Sequence, residues 1–291
     1  MTMNEFKKNL KASTGMRVFI YLLALLVCVL IGSLVTLLLA AGNDIQWLKV
    51  GQGISSALMF IAPPLILYAF TRHQPLMELG LKRPKSYWLL LIGSLLMFVS
   101  LPLTNLLTSW NEAMKLPEAL APLEAWMEQM EKMAGDFTDR MLQVDTLGGL
   151  LGNLLVIALI PAIGEELTFR GVLQQALVKG TKNAHVGIVL SAIVFSFIHL
   201  QFYGFLPRLF LGILLGYLFY YSGSLWTTIL MHFINNGSAV VVAYLERKGL
   251  TDVDWEHFGA TDNVWMLIAS LLVTVGLLYI CKSINKKNGR Q

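Results

Sequence analysis

Charge is what this sequence has least of. Only 14% of its 291 residues are Asp, Glu, Lys or Arg, against roughly 25% in an average soluble domain, while 56% are hydrophobic and the mean hydropathy is +0.63. So little charge cannot cover a water-exposed fold. It also argues against a nucleic-acid surface, because the net charge of +4 is scattered beside apolar runs instead of being gathered on one segment. Cysteine is scarce too. Cys28 and Cys281 lie inside apolar runs at opposite ends of the chain, where free cysteine is commonly buried as a small hydrophobe, so neither a disulfide framework nor a thiolate metal site is expected. Internal repeats, low-complexity stretches and a linker that would split the chain are absent as well.

What the sequence has instead is apolar runs near the ~20 residues needed to cross a bilayer as a helix. The first, Val18 to Ala41, follows Lys7, Lys8, Lys11 and Arg17. It exceeds the roughly 7–15-residue core of a cleaved signal peptide, so a retained helix is expected. Further spans are read at 50–70, 87–109, 147–178, 184–204, 206–221, 225–244 and 264–281, giving an all-α, polytopic protein of about eight transmembrane helices. The fourth is long for one crossing and must tilt, kink or protrude, with Pro161 and Gly164 marking the kink.

Lys and Arg accumulate on the cytoplasmic side of membrane proteins. With the N-terminus inside, segments 1–17, 71–86, 164–183 and 282–291 hold 15 Lys/Arg and 4 Asp/Glu, and the rest hold 7 and 14. Both termini are therefore expected in the cytoplasm, with anionic membrane lipids as partners of the basic residues and no nucleic acid. The domain reading is a basic N-terminus over 1–17, one membrane domain over 18–281 with a motif core at 147–244, and a basic tail over 282–291. An acidic extracytoplasmic loop over 111–146 carries Glu112, Glu118, Glu124, Glu128, Glu131, Asp136, Asp139 and Asp145. A solvated or interfacial amphipathic helix is the plain reading of that loop, and a substrate-gating lid the sharper one.

Ionisable side chains inside a span cost about 2.5–3.5 kcal/mol each on insertion scales and so mark function. The fourth span reads Pro-Ala-Ile-Gly-Glu165-Glu166-Leu-Thr-Phe-Arg170-Gly. Successive helical residues diverge by about 100°, so Glu165 and Glu166 are not expected to reach one point, whereas Glu166 and Arg170 are i,i+4 neighbours. Arg170 would neutralise Glu166, leaving Glu165 as the freer general base. Span five carries Phe195-Ser-Phe-Ile-His199, and span seven carries His232-Phe-Ile-Asn-Asn236, again with i,i+4 spacing. At ~1.5 Å rise per residue Glu165, His199, His232 and Asn236 can all meet near mid-membrane. Carboxylate, imidazoles and amide converging there would activate water, with or without a metal. Asn235 and Ser196 are read as helix-packing groups; His73, His185 and His257 receive no role.

Together these elements resemble the CPBP family of intramembrane proteases, which includes CAAX prenyl endopeptidases and bacteriocin-processing or immunity proteins. Its pattern is Glu-Glu-x-x-x-Arg, Phe-x-x-x-His and His-x-x-x-Asn on separate helices, matched here by Glu165, Glu166 and Arg170, by Phe195 and His199, and by His232 and Asn236. The resemblance implies a fold of eight helices around an intramembrane cavity open to the membrane and cytosol, and also that Glu165 activates water, that His199, His232 and Asn236 bind a metal or the oxyanion, and that Glu166 and Arg170 support the site. A metal, Zn2+ or another divalent ion, would draw on Glu165, His199 and His232; a metal-free mechanism is the other option. The implied substrate is a membrane-associated or lipidated peptide or protein, and the implied location a bacterial inner or plasma membrane. A non-proteolytic membrane immunity or interaction protein, using the polar cluster structurally, is the alternative. A transporter is less favoured, because no inverted repeat is present.

Overall fold

The computed structural model describes residues 14–41, 44–71, 74–253 and 259–288, and among these every regular element is helical. Parts of the expected N-terminal and C-terminal segments, and also His73 and His257, lie outside the described residues. In chain order the helices are α1 Thr14–Ala40, α2 Ile45–Phe60, α3 Ala62–Thr71, α4 Pro75–Leu79, α5 Trp88–Val99, α6 Leu101–Glu112 and α7 Ala121–Leu142. They continue as α8 Leu147–Thr181, α9 Ala184–Phe197, α10 Phe205–Ser222, α11 Leu225–Arg247 and α12 Val264–Asn288.

Six helices are long and apolar enough to cross a membrane, or seven if α5 and α6, bent by 43°, count as one span. With the apolar exteriors of helices such as α1, where Leu34, Leu37 and Leu38 are exposed, this makes the chain an integral membrane protein whose outer surface suits lipid. The expected count of eight is not confirmed. The segment read at 184–204 forms only the 14-residue α9 and then leaves helical geometry.

The helix breaks have local causes. Pro102 opens α6 and cannot donate an N–H into the turn before it. In the middle of the second span, Pro63 and Pro64 likewise lack N–H groups, and Pro64 leaves the Phe60 carbonyl without its i+4 donor. The Thr168 hydroxyl on α8 takes over, donating to Phe60 O at 2.9 Å. Around Pro161, the irregularity of α8 takes the form of two stretches of wide i→i+5 turns, Leu154–Leu159 and Glu166–Gln174. Such π turns loosen the carbonyl ladder, and side chains from neighbouring helices fill in. Tyr68 donates to Gly171 O at 2.9 Å and Ser191 to Phe169 O at 3.3 Å.

One end of the bundle gathers the loop after α4 against the α10–α11 turn, through Leu225 N to Gly80 O at 2.8 Å and Lys85 N to Ser222 O at 3.1 Å. Lys85 also bonds Asn285 at 2.5 Å. The opposite end gathers α7, the α9–α10 turn and an Asp145–Arg247 ion pair at 2.7 Å. Between them the core packs Leu89, Leu96, Leu214, Leu218 and Met231 beside a second cluster of Leu67, Leu167, Phe219 and Ile229. Cys28 and Cys281 are both free and buried, Cys281 within the first cluster.

Candidate active site

The polar cluster is built on α8, α9 and α11. Glu166 and Arg170 fall within the second π stretch and are sealed from the surface, at 0% and 1% exposure. Arg170 Nη1 donates to Glu166 Oε1 at 2.6 Å, and Nη2 donates to Gly212 O at 3.2 Å. Gly212 permits that approach: a Cβ there would stand 2.9 Å from the Cβ of Ala192, so α9 and α10 can close only over a bare backbone. The guanidinium also lies 4.8 Å from the centroid of the Phe195 ring, which gives a desolvated cation a second favourable surface.

His232 on α11 completes the group. Its Nδ1 lies 2.9 Å from Glu166 Oε1, and its Nε2 lies 3.7 Å from Glu165 Oε2. A carboxylate only accepts, so Nδ1 donates to Glu166, and Nε2 is the nitrogen turned toward Glu165. Both carboxylates therefore address one imidazole, though at different nitrogens and not at one point. The wide π turn advances each residue by a smaller angle than an α-turn, and the two ring nitrogens offer opposite edges. The carboxylates remain unequal. Glu166 is fully enclosed, while the Glu165 side chain keeps 12% exposure.

His199 lies just beyond α9. Its Nδ1 pairs with Phe195 O at 2.8 Å, which leaves Nε2 with the lone pair in the neutral ring. The Phe195 ring stands edge-on to His199 at 5.1 Å and to His232 at 6.1 Å. Phe195, known from the sequence only as a motif position, is thus the apolar partition around which both imidazoles and Arg170 are arranged. Asn236 shares α11 with His232 and accepts from Asn235 Nδ2 at 3.1 Å, so Asn235 orients its neighbour's amide in addition to any packing role. Glu165, Glu166, Arg170 and His232 are in direct contact; no hydrogen bond or ion pair joins His199 or Asn236 to those four among the described residues. Ser196 donates to Phe205 O at 2.7 Å, and His185 pairs with Tyr217 at 2.7 Å in an exposed position.

The metal set read from the sequence fits only in part. The free Nε2 atoms of His199 and His232 and the Glu165 carboxylate are the right kinds of ligand, but among the described residues no three His, Cys, Asp or Glu side chains are grouped to hold an ion.

Sequence comparison adds one finding. Residues 147–238 match the family described as type II CAAX prenyl endopeptidase, Rce1-like, so the CPBP/CAAX-protease resemblance drawn from the three motifs holds over the stretch that carries them. No curated protein and no solved structure matches the chain.

Proposed function

We propose that this chain, whose motif-bearing stretch belongs with the Rce1-like endopeptidases, is an intramembrane endopeptidase that hydrolyses a peptide bond of a membrane-associated or lipidated substrate, with Glu165 as general base. The observation that carries the assignment is the inequality of the two adjacent carboxylates. Glu166 is neutralised by Arg170, bonded to His232 and closed off; Glu165 is the one left open, with a single imidazole contact at 3.7 Å.

In this reading Glu165 takes a proton from water as the water oxygen attacks the peptide carbonyl carbon, and the carbonyl electron pair moves onto oxygen. Collapse of that oxyanion breaks the C–N bond, and the departing nitrogen takes the proton back from Glu165. Asn236 is the natural oxyanion donor: Asn235 occupies its Oδ1, its Nδ2 remains free to donate, and an amide needs no change of protonation to do so. His232, anchored through Nδ1, holds Nε2 beside Glu165, and His199 packs edge-on against the same Phe195 ring. No step is routed through a metal, since the three candidate ligands are not gathered as a set.

The charge distribution supports both termini in the cytoplasm and anionic lipid around the basic ends of a single membrane domain over 18–281; a bacterial inner or plasma membrane rests on the family resemblance alone. The test is a comparison of membrane peptides from cells carrying the wild type and Glu165→Gln. Cleavage products present with the wild type and missing with the variant are expected. Identical peptide profiles at equal expression would return the chain to a non-proteolytic role.

A further inference from the structure

The turn that carries His199 is held only in part by its own helix. His199 N bonds Ser196 O at 3.4 Å and Leu200 N bonds Phe197 O at 3.2 Å, and the ring itself pairs with Phe195 O; Leu200 then takes φ 52°, a left-handed conformation that a branched-side-chain residue adopts only when its surroundings impose it. The imposing groups come from elsewhere. Asn111 at the end of α6, 6% exposed, donates from Nδ2 to Phe202 O at 2.9 Å and accepts from Leu206 N at 2.7 Å, so one amide clips both sides of the turn. Glu131 on the acidic helix α7 accepts from Tyr203 N at 3.2 Å, and the Trp126 ring, one turn earlier on that helix, packs on Phe202 at 5.4 Å. Arg208 closes the turn from α10 with bonds to the carbonyl and side-chain oxygens of Gln201 at 2.8 and 2.6 Å. Its guanidinium lies against Gly204, where a Cβ would come within 2.6 Å of it.

α7 is fixed at its far end too. Asn153 donates to Met141 O at 2.8 Å and accepts from the buried ammonium of Lys49 at 2.8 Å, and Arg247 holds Asp145 just beyond. A solvated amphipathic helix would have no need of anchors at both ends.

We propose that Asn111 and Glu131, both outside the matched residues 147–238, are positioning residues for His199: acting through the 201–206 turn, they hold its imidazole in place beside the Phe195 ring. The effect on turnover rests on the peptidase reading; the effect on the ring does not. Neither residue touches the reacting atoms. Without their bonds Leu200 is free to relax to right-handed geometry, and the backbone at His199 moves with it.

The experiment uses the full chain in detergent micelles with 15N-labelled histidine, the His199 ring signals being assigned by their loss in His199→Gln. Glu131→Ala and Asn111→Asp should shift or broaden the His199 signals and leave those of His232 in place. Asn111→Asp keeps the acceptor for Leu206 N but sets a carboxylate oxygen against Phe202 O, so it breaks that side of the clip. Glu131→Gln, whose amide oxygen still accepts from Tyr203 N, should retain the wild-type spectrum. With a cleavable peptide, Glu131→Ala should lower kcat by on the order of ten- to a hundred-fold with KM little changed, and Glu131→Gln should restore it. Unmoved His199 signals in Glu131→Ala and Asn111→Asp would overturn the proposal, as would a Glu131→Gln that disturbs them as much as Glu131→Ala. A wild type that cleaves nothing would remove the peptidase reading, while the ring signals decide the positioning independently.

Discussion

Arg170→Ala tests the support of the site most directly. The substitution removes the guanidinium bonded to Glu166, a carboxylate with 0% exposure. It also withdraws the donor to Gly212 O and the charge over the Phe195 ring. Breaking one side of a buried pair costs about 3–5 kcal/mol, most of it the penalty of a charge left without compensation. At a few degrees per kcal/mol for a chain of this size, the midpoint of thermal unfolding should fall by roughly 6–15 °C. Tryptophan fluorescence in detergent follows the transition. The origin of the cost can be separated in the same assay. Arg170→Met combined with Glu166→Gln removes both charges, and well-packed neutral replacements of a buried pair are often close to neutral, so the double variant should melt above Arg170→Ala despite carrying more changes. Activity need not return with stability, because Glu166 also anchors His232 Nδ1 at 2.9 Å. An Arg170→Ala protein that melts with the wild type, or a double variant that melts below the single, would refute the reasoning.

Glu165 stands outside the neutralised group, so Glu165→Gln should melt with the wild type while turnover drops by at least about 10²–10⁴-fold, the usual scale for a general base; comparable turnover in the purified variant would remove Glu165 as the base. Since the ligands Glu165, His199 and His232 are not gathered as a metal-holding set, turnover should persist after exhaustive chelation with negligible bound metal by elemental analysis. A stoichiometric metal whose removal stops turnover reversibly would replace Asn236 and the oxyanion reading with zinc chemistry. At the loop before α8, the Arg247 hydrogen bond holds the Asp145 carboxyl below its ordinary value of 3.8. A lowered carboxylate pKa adds stability above the unfolded value and loses it as pH falls through the folded one. Amide exchange over 143–146 should therefore be faster in Asp145→Asn than in the wild type at pH 7, with the difference vanishing below the lowered pKa; a difference that persists in acid would mean that Asp145 acts through something other than its charge.

Most helices were legible because apolar runs and basic flanks are long-range, additive signals. The Glu166–Arg170 contact was legible because i,i+4 spacing survives in the structure at 2.6 Å. What escaped reading depends on backbone deviations of one residue or on partners far away in sequence. The joint address of Glu165 and Glu166 to His232 follows from wide turns at Glu166–Gln174, which no composition pattern announces. The fifth span ended early because α9 gives way at Phe197 to the turn that places His199. Asn111 and Glu131 looked like ordinary polar residues of an exposed segment, and their partners lie 91 and 72 positions away. Phe195 was visible as a motif position, yet its use as a partition between two imidazoles and a guanidinium appears only once three helices are packed.

The bond from the Thr168 hydroxyl to the Phe60 carbonyl bears on how this sequence can change over time. Pro64 leaves an acceptor vacant in one helix, and the π stretch of another supplies the hydroxyl that fills it. The two irregularities are a single defect shared between neighbours. An ordinary residue at 64 would regain its own N–H and compete with the Thr168 hydroxyl for that carbonyl, whereas an apolar residue at 168 would strand the carbonyl in hydrocarbon. Positions 64 and 168 are thus constrained as a pair, and a neutral path away from either runs through a change at the other.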